Sequence, residues 1–208
     1  MKRFIIAAVL ISLSVVCNAQ DISTVFANMP DEIIPQFEVA WRKDLVELYK
    51  QGKEPTVENK MLGKSTVKKL TDDYLLIQVS ERSTAELKLL PLINNTYIVC
   101  LIKTAYGPVA DSYVSFYTTD WQPLPTENLL TPITVDWFLD GKESDIKYQD
   151  AVARLDIPLF KYELDPDKTT LQATLTTPEY LNDEEQKAVA PFLKKEPKRY
   201  RWNKTRFE

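Results

Sequence analysis

Apolar residues recur at two different periods along this chain, and the change of period divides it. Between residues 29 and 51, Phe37, Trp41, Leu45 and Leu48 lie four, four and three apart, which stacks them on one face of a helix. Arg42, Lys43, Glu47 and Lys50 fall elsewhere on that cylinder. The spacing predicts a helix over residues 29–51, with Asn28 or Asp31 as its cap, Pro30 in the first turn and Gly52 as its stop. Pro35 has no N–H for the carbonyl of Asp31, so the helix kinks or restarts there.

From residue 56 to 120 alternation takes over. Strands are predicted over residues 56–61, 65–70, 74–80, 84–92, 97–105 and 112–118. Turn-forming residues separate them: Leu62-Gly63, Glu81-Arg82-Ser83, Asn94-Asn95 and the segment YGPVAD. The pattern is an antiparallel meander. A two-residue turn at Asn94-Asn95 sets a register in which paired residue numbers sum to 189, so that Leu89 faces Cys100, Leu87 faces Ile102 and Glu86 faces Lys103. One face then carries Leu87, Leu89, Pro91, Ile98, Cys100 and Ile102, all apolar, while opposite charges meet on the other.

After Trp121 the composition turns proline-rich in QPLPTENLLTP, the point at which the chain could subdivide. A short helix is predicted over residues 133–139. A hairpin follows, LFKYEL and TLQATL joined by DPDKT. Asn182 with Glu185 makes a capping box that opens a helix to about residue 195, kinked at Pro191. The closing KRYRWN alternates as a strand, with Tyr200 and Trp202 on one face and Arg199 and Arg201 on the other. The fold class is therefore α+β: a meander sheet packed by an N-terminal helix, with a second helix-plus-strand unit near the C-terminus.

The first residues read differently. Lys2 and Arg3 precede an apolar stretch, residues 4–16, that is too short to span a membrane, and Cys17-Asn18-Ala19 approximates a small-x-small cleavage site. Residues 1–19 are thus expected to be a secretory signal, leaving residues 20–208 as one α+β domain in the periplasm or outside the cell. Lipid anchoring at Cys17 fits less well, because Ser14, Val15 and Val16 make a poor lipobox. No apolar run beyond the signal reaches membrane length, so no transmembrane segment is expected in the mature chain.

Charge is uneven. From Lys187 onward the 208-residue chain carries eight Lys or Arg against two Asp or Glu, although its net charge is -4. A basic, aromatic tail is compatible with nucleic acid, but the export signal argues against that partner, and a solvated strand face that pairs with the acidic remainder or discourages edge-to-edge aggregation explains it. The chain has no histidine, which excludes Ser-His-Asp and Cys-His catalysis and histidine metal sites. One cysteine in the mature chain, Cys100, leaves neither a disulfide nor a cysteine zinc site. Its predicted apolar surroundings make it an inert thiol rather than a nucleophile.

Other candidates are few. Asp136 and Asp140 share a helical face, which is a solvated turn more readily than a glycosidase pair. Asp140, Glu143 and Asp145 around Gly141 miss the calcium-loop spacing. Trp41, Trp121, Trp137 and Trp202 could stack on sugars or fill a core. Asn94 to Thr96 and Asn203 to Thr205 match the N-glycosylation pattern, incidentally for a bacterial-type signal. No GxGxxG, P-loop or GxSxG occurs, and no cofactor, metal or catalytic residue is assigned.

The stretches MPDEIIP, RKDLVELY, LTDDYLL, LKLLPL and YGPVADSYVSFYTTDWQPL resemble a secreted domain-of-unknown-function family of Bacteroidales. The resemblance implies export and a single domain type, and it brings no catalytic residues. The expected function is a non-catalytic binding module of the cell envelope, its partner an envelope protein or a glycan. A carboxylate-dependent hydrolase acting on glycans and a secreted inhibitor-like protein are the alternatives.

Overall fold

The computed structural model describes residues 21–208, so the predicted signal at residues 1–19 and Cys17 within it lie outside the described residues. Seven strands pair in chain order into one antiparallel sheet: β1 (Thr56–Glu58), β2 (Lys64–Leu70), β3 (Tyr74–Ser80), β4 (Ser83–Pro91), β5 (Tyr97–Tyr106), β6 (Ala110–Thr118) and β7 (Pro123–Leu124). A second antiparallel sheet has β9 (Thr170–Leu175) at its centre, between β8 (Phe160–Leu164) and β10 (Lys198–Arg201). The helices are α1 (Ile22–Ala27), α2 (Val39–Lys50), α3 (Thr126–Leu129), α4 (Ile146–Ala153) and α5 (Asp183–Val189). The class is α+β.

Both faces of the large sheet are covered. Leu75, Ile77, Leu87, Leu89, Val99 and Leu101 point toward α1 and α2 and bury Ile22, Phe26, Phe37 and Leu45 beneath them. Leu90, Ile98, Cys100, Ile102 and Phe116 point the other way, against Tyr162, Leu164, Leu171 and Ala173 of the small sheet. The central strands of the meander therefore supply both cores, which is why they read as nearly continuous apolar runs.

The long N-terminal helix is corrected. Residues 28–38 form a turn-rich connection, and the helix begins only at Val39. Pro30 and Pro35 lack the N–H a helix needs and push the residue before each toward extended backbone. Asp21 instead caps the separate α1 by accepting Ser23 N–H at 2.9 Å. Arg42, expected on the polar face, is fully buried. Its guanidinium donates to the carbonyl of Phe37 at 2.9 Å, to the carbonyl of Met29, and to Asp31 Oδ1 at 2.9 Å. It closes the connection that the two prolines open.

The β4–β5 register is corrected by one residue. The strands pair Lys88 with Cys100, Leu87 with Leu101 and Glu86 with Ile102. The turn holds three residues rather than two: Leu92 N–H bonds Thr96 C=O, and Asn95 takes a left-handed φ of 60°. Asn94 fixes it by accepting both the N–H (3.1 Å) and the hydroxyl (2.7 Å) of Thr96. A slip of one exchanges the faces of one strand relative to the other. Glu86 and Lys88 thereby join Cys100 on the face toward the small sheet.

Toward the C-terminus, the capping box is present, with Asn182 accepting Glu185 N–H and Glu185 accepting Asn182 N–H. The helix ends at Val189 and passes into a 3-10 turn, Ala190–Phe192, at Pro191, rather than continuing to residue 195. The short helix near residue 135 is a 3-10 turn, Val135–Phe138. Tyr200 and Trp202 are buried, while Arg199 and Arg201 are exposed, as their alternation implies.

Candidate functional site

The register shift builds a polar cluster between the sheets. The amides of Phe160, Tyr162 and Leu164 point off the outer edge of β8, and each finds a side-chain acceptor on the large sheet. Asp111 Oδ1 lies at 3.3 Å, Ser112 Oγ at 3.0 Å and Glu86 Oε2 at 3.0 Å. Three side chains thus stand in for a neighbouring strand, and those of Ser112 and Glu86 meet the requirement that amides withdrawn from water be paired. Tyr74 hydroxyl also donates to Glu86 Oε2, at 3.0 Å. Lys88, 1% exposed, reaches Asp73 at 2.9 Å and donates to the carbonyl of Pro166 at 2.8 Å.

Burial dominates the electrostatics there. It raises the Glu86 carboxyl from the ordinary 4.5 to about 7, against the opposing bonds from Leu164 and Tyr74. It also raises the Tyr74 phenol, helped by the Glu86 charge, and the Cys100 thiol, with Glu86 adding to the effect. Cys100 is fully buried, so it is a filler beneath Glu86. The main surface grooves among the described residues are lined by other side chains than Glu86, Tyr74, Lys88 and Cys100. The cluster is a joint between sheets.

The tryptophans divide. Trp121 Nε1 donates to Val25 C=O at 2.9 Å and Trp202 Nε1 to Pro91 C=O at 2.7 Å; both rings are core. Trp41 is half-buried against the core under α1 and α2. Trp137 is half-buried on the 3-10 turn, and two ammonium groups lie against its ring, Lys194 Nζ and Lys198 Nζ, each 5.3 Å from the centroid. Lys198 Nζ is also 5.4 Å from the Tyr200 ring. Beside them opens a groove of about 290 Å³ lined by Thr131, Thr134, Trp137, Lys198, Tyr200 and Glu208, among others.

Pairing of the basic tail with the acidic remainder, one of its two expected roles, is not found among the described residues. Among the described residues, none of the eight Lys and Arg from Lys187 onward takes part in an ion pair. One of them, Lys198, lines a groove that combines aromatic rings, hydroxyls and charge of both signs. Lys194 and Trp137 are 57 residues apart in sequence, so nothing local announces their meeting.

Asp136 and Asp140 are both exposed, and Asp140 N–H bonds Phe192 C=O. Asp145 caps α4 by accepting Lys147 N–H at 2.9 Å. Among the described residues, no three Asp, Glu or Cys are gathered as a metal ion would need. Asn203 closes its own loop by accepting three donors, from Thr205 and Arg206. None of the main grooves among the described residues brings carboxylates from two separate elements together as a catalytic pair.

Residues 14–207 match the sequence profile of a family described as "Protein of unknown function (DUF3256)". The chain belongs to this family. DUF3256 carries no activity to transfer, in line with the resemblance to a family of unknown function. The fold matches the structure of a domain of an uncharacterized protein from Porphyromonas gingivalis W83, at a TM-score of 0.82 and 28% identity. The match covers 91% of this chain and 99% of that one. No functionally curated protein matches the chain. Among the described residues, no helix is long and apolar enough to cross a membrane.

Proposed function

We propose that this DUF3256 protein is a non-catalytic binding module that is exported and works in the cell envelope. One observation carries the binding reading: Lys198, without an ion pair, lines a groove walled by Trp137 and Tyr200. Aromatic walls with a few placed polar groups suit recognition. A carboxylate-dependent hydrolase would need converging acids from separate elements, and the main grooves among the described residues bring no such pair together. Export is supported by the charged and apolar start of the chain, residues 1–19.

Co-sedimentation of the purified mature protein with an isolated envelope fraction tests this reading. Saturable co-sedimentation, weakened by salt, is the expected result. Absence of binding, together with turnover of a defined cell-wall substrate, would overturn it. Residue 20 should also be the first residue of the protein recovered from its native cells, and N-terminal sequencing that begins at Met1 would refute export by cleavage.

A further inference from the structure

We infer that the β1–β2 turn, residues 59–63, inserts its tip into the apolar layer of a lipid bilayer. Two neighbouring apolar side chains form that tip, Leu62 at 99% exposure and Met61 at 67%. Leu62 also holds a left-handed φ of 60°, a conformation that asparagine and glycine adopt far more readily than leucine. Backbone strain and an apolar side chain left in water thus coincide at one residue, and strain of this kind gathers at functional sites. The inference goes beyond the Trp137 groove and does not depend on it.

The turn is built to leave water. Each of its N–H groups, from Asn59 to Gly63, is bonded within the protein. Asn59 N–H reaches Gly63 C=O at 2.8 Å, Lys60 N–H reaches Gln36 C=O at 2.9 Å and Leu62 N–H reaches Asn59 C=O at 3.0 Å. Asn59 Oδ1 accepts the other two, from Met61 at 3.0 Å and from Gly63 at 3.1 Å. The Asn59 side chain is buried, and its amide donates in turn to Ser65 Oγ and Val79 C=O, both at 3.1 Å. Satisfied donors are what a backbone needs on entering hydrocarbon, and the Asn59 anchor fixes the tip to the sheet.

The shape of the tip selects lipid over protein. Two side chains fall far short of the roughly 800 Å² that each partner buries in a stable protein interface. A tight turn with a left-handed residue at its tip cannot join a partner's sheet edge as an added strand. A bilayer asks for neither large area nor matched shape. Charge does not decide the choice, because Lys64 and Arg82 lie at this end of the large sheet and so do Glu58 and Glu81. Insertion is therefore set by the apolar tip and changes little with salt.

The test is flotation of the mature protein, residues 20–208, with phosphatidylcholine vesicles at millimolar lipid. Wild type should float with the vesicles at low and high salt alike. Leu62→Asn suits the left-handed backbone, so it should unfold at the same temperature or higher while binding about tenfold more weakly. Lys198→Gln should float as wild type does. Placement is read from an environment-sensitive fluorophore on Leu62→Cys, since the buried Cys100 stays unlabelled in native protein. Its emission should shift to the blue when vesicles are added. The same label on Asp120→Cys, in the exposed β6–β7 turn at the opposite end of the sheet, should not shift.

No flotation at millimolar lipid, flotation abolished by salt, equal flotation of Leu62→Asn, or an equal shift at both ends would each overturn the inference. Absent vesicle binding alongside Leu62-dependent binding to detergent-solubilised envelope protein would also refute it, by giving the tip to a protein pocket. None of these outcomes touches the salt-sensitive binding assigned to the Lys198 groove, so the proposed function stands or falls separately.

Discussion

Replacing Glu86 by glutamine should flatten the dependence of stability on pH. The Glu86 residue is 7% exposed, and burial lifts its proton affinity from the ordinary 4.5 to about 7 in the folded chain. Between those values the folded state holds a proton that the unfolded state has released. Stability from this group is therefore complete below about pH 4.5, falls as pH rises, and is gone above about pH 7. At ~1.4 kcal/mol for each tenfold change in proton affinity, the loss is about 3 kcal/mol.

The geometry says why the neutral acid fits. Both bonds, from Tyr74 and from Leu164, fall on Oε2, so Oε1 is free to carry the proton. A glutamine side chain at this position offers the same arrangement, its carbonyl oxygen taking the place of Oε2 and its amide the place of the protonated oxygen. Urea unfolding followed by tryptophan fluorescence, at about pH 4.5 and about pH 7.5, measures the slope. The absence of histidine keeps imidazole titration out of that window. The wild type should lose about 3 kcal/mol between the two conditions and Glu86→Gln far less. A wild type whose stability is flat or rises, or a variant with the same slope, would refute the role given to Glu86.

Three further outcomes are expected. A thiol reagent should label Cys100 slowly in native protein and at the ordinary rate in urea, since the thiol is fully buried and its pKa is raised; fast native labelling would show the joint between the sheets to be open. Arg42→Met should cost about 2–4 kcal/mol in thermal or urea unfolding, because it leaves the Phe37 and Met29 carbonyls without their donor; an unchanged midpoint would refute the bracing of residues 28–38. Gly141→Ala would bring a Cβ to 2.2 Å from the Tyr148 ring, which packs on Phe192 at 5.6 Å. A loss of about 1–3 kcal/mol is expected there, and a stability equal to wild type would show that the ring moves freely.

The strands of the large sheet were legible because alternation and turn residues are local signals. Residues 74–80 and the hairpin around Asp165-Pro166 lie where the pattern places them. The β4–β5 register was not legible, because a turn of two or three residues differs only in whether Asn95 adopts a left-handed backbone. Opposing Glu86 to Lys103 looked favourable, yet the partners of Glu86 are the Tyr74 hydroxyl and a main-chain amide 78 residues on. Arg42 misled for a related reason: its acceptors, the Phe37 and Met29 carbonyls and Asp31 Oδ1, lie in the non-helical connection before the helix. The candidate site was legible only as a set of separate parts. Trp137 and the basic tail stood out in the sequence, but their adjacency is set by the packing of the 3-10 turn against the segment leading into β10.

The side-chain acceptors along β8 bear on the order of assembly. Every rung of the seven-stranded sheet joins strands adjacent in sequence, so its hairpins can zip one after another. The bonds to Asp111, Ser112 and Glu86 instead close spans of 49, 50 and 78 residues. Closing such spans costs chain entropy before any contact repays it, which slows the step. The large sheet is thus the template, and the small sheet docks on acceptors already in place. Until that docking, Leu90, Ile98, Cys100 and Phe116 face solvent, and this late step decides how long the nascent chain shows a sticky surface to its neighbours.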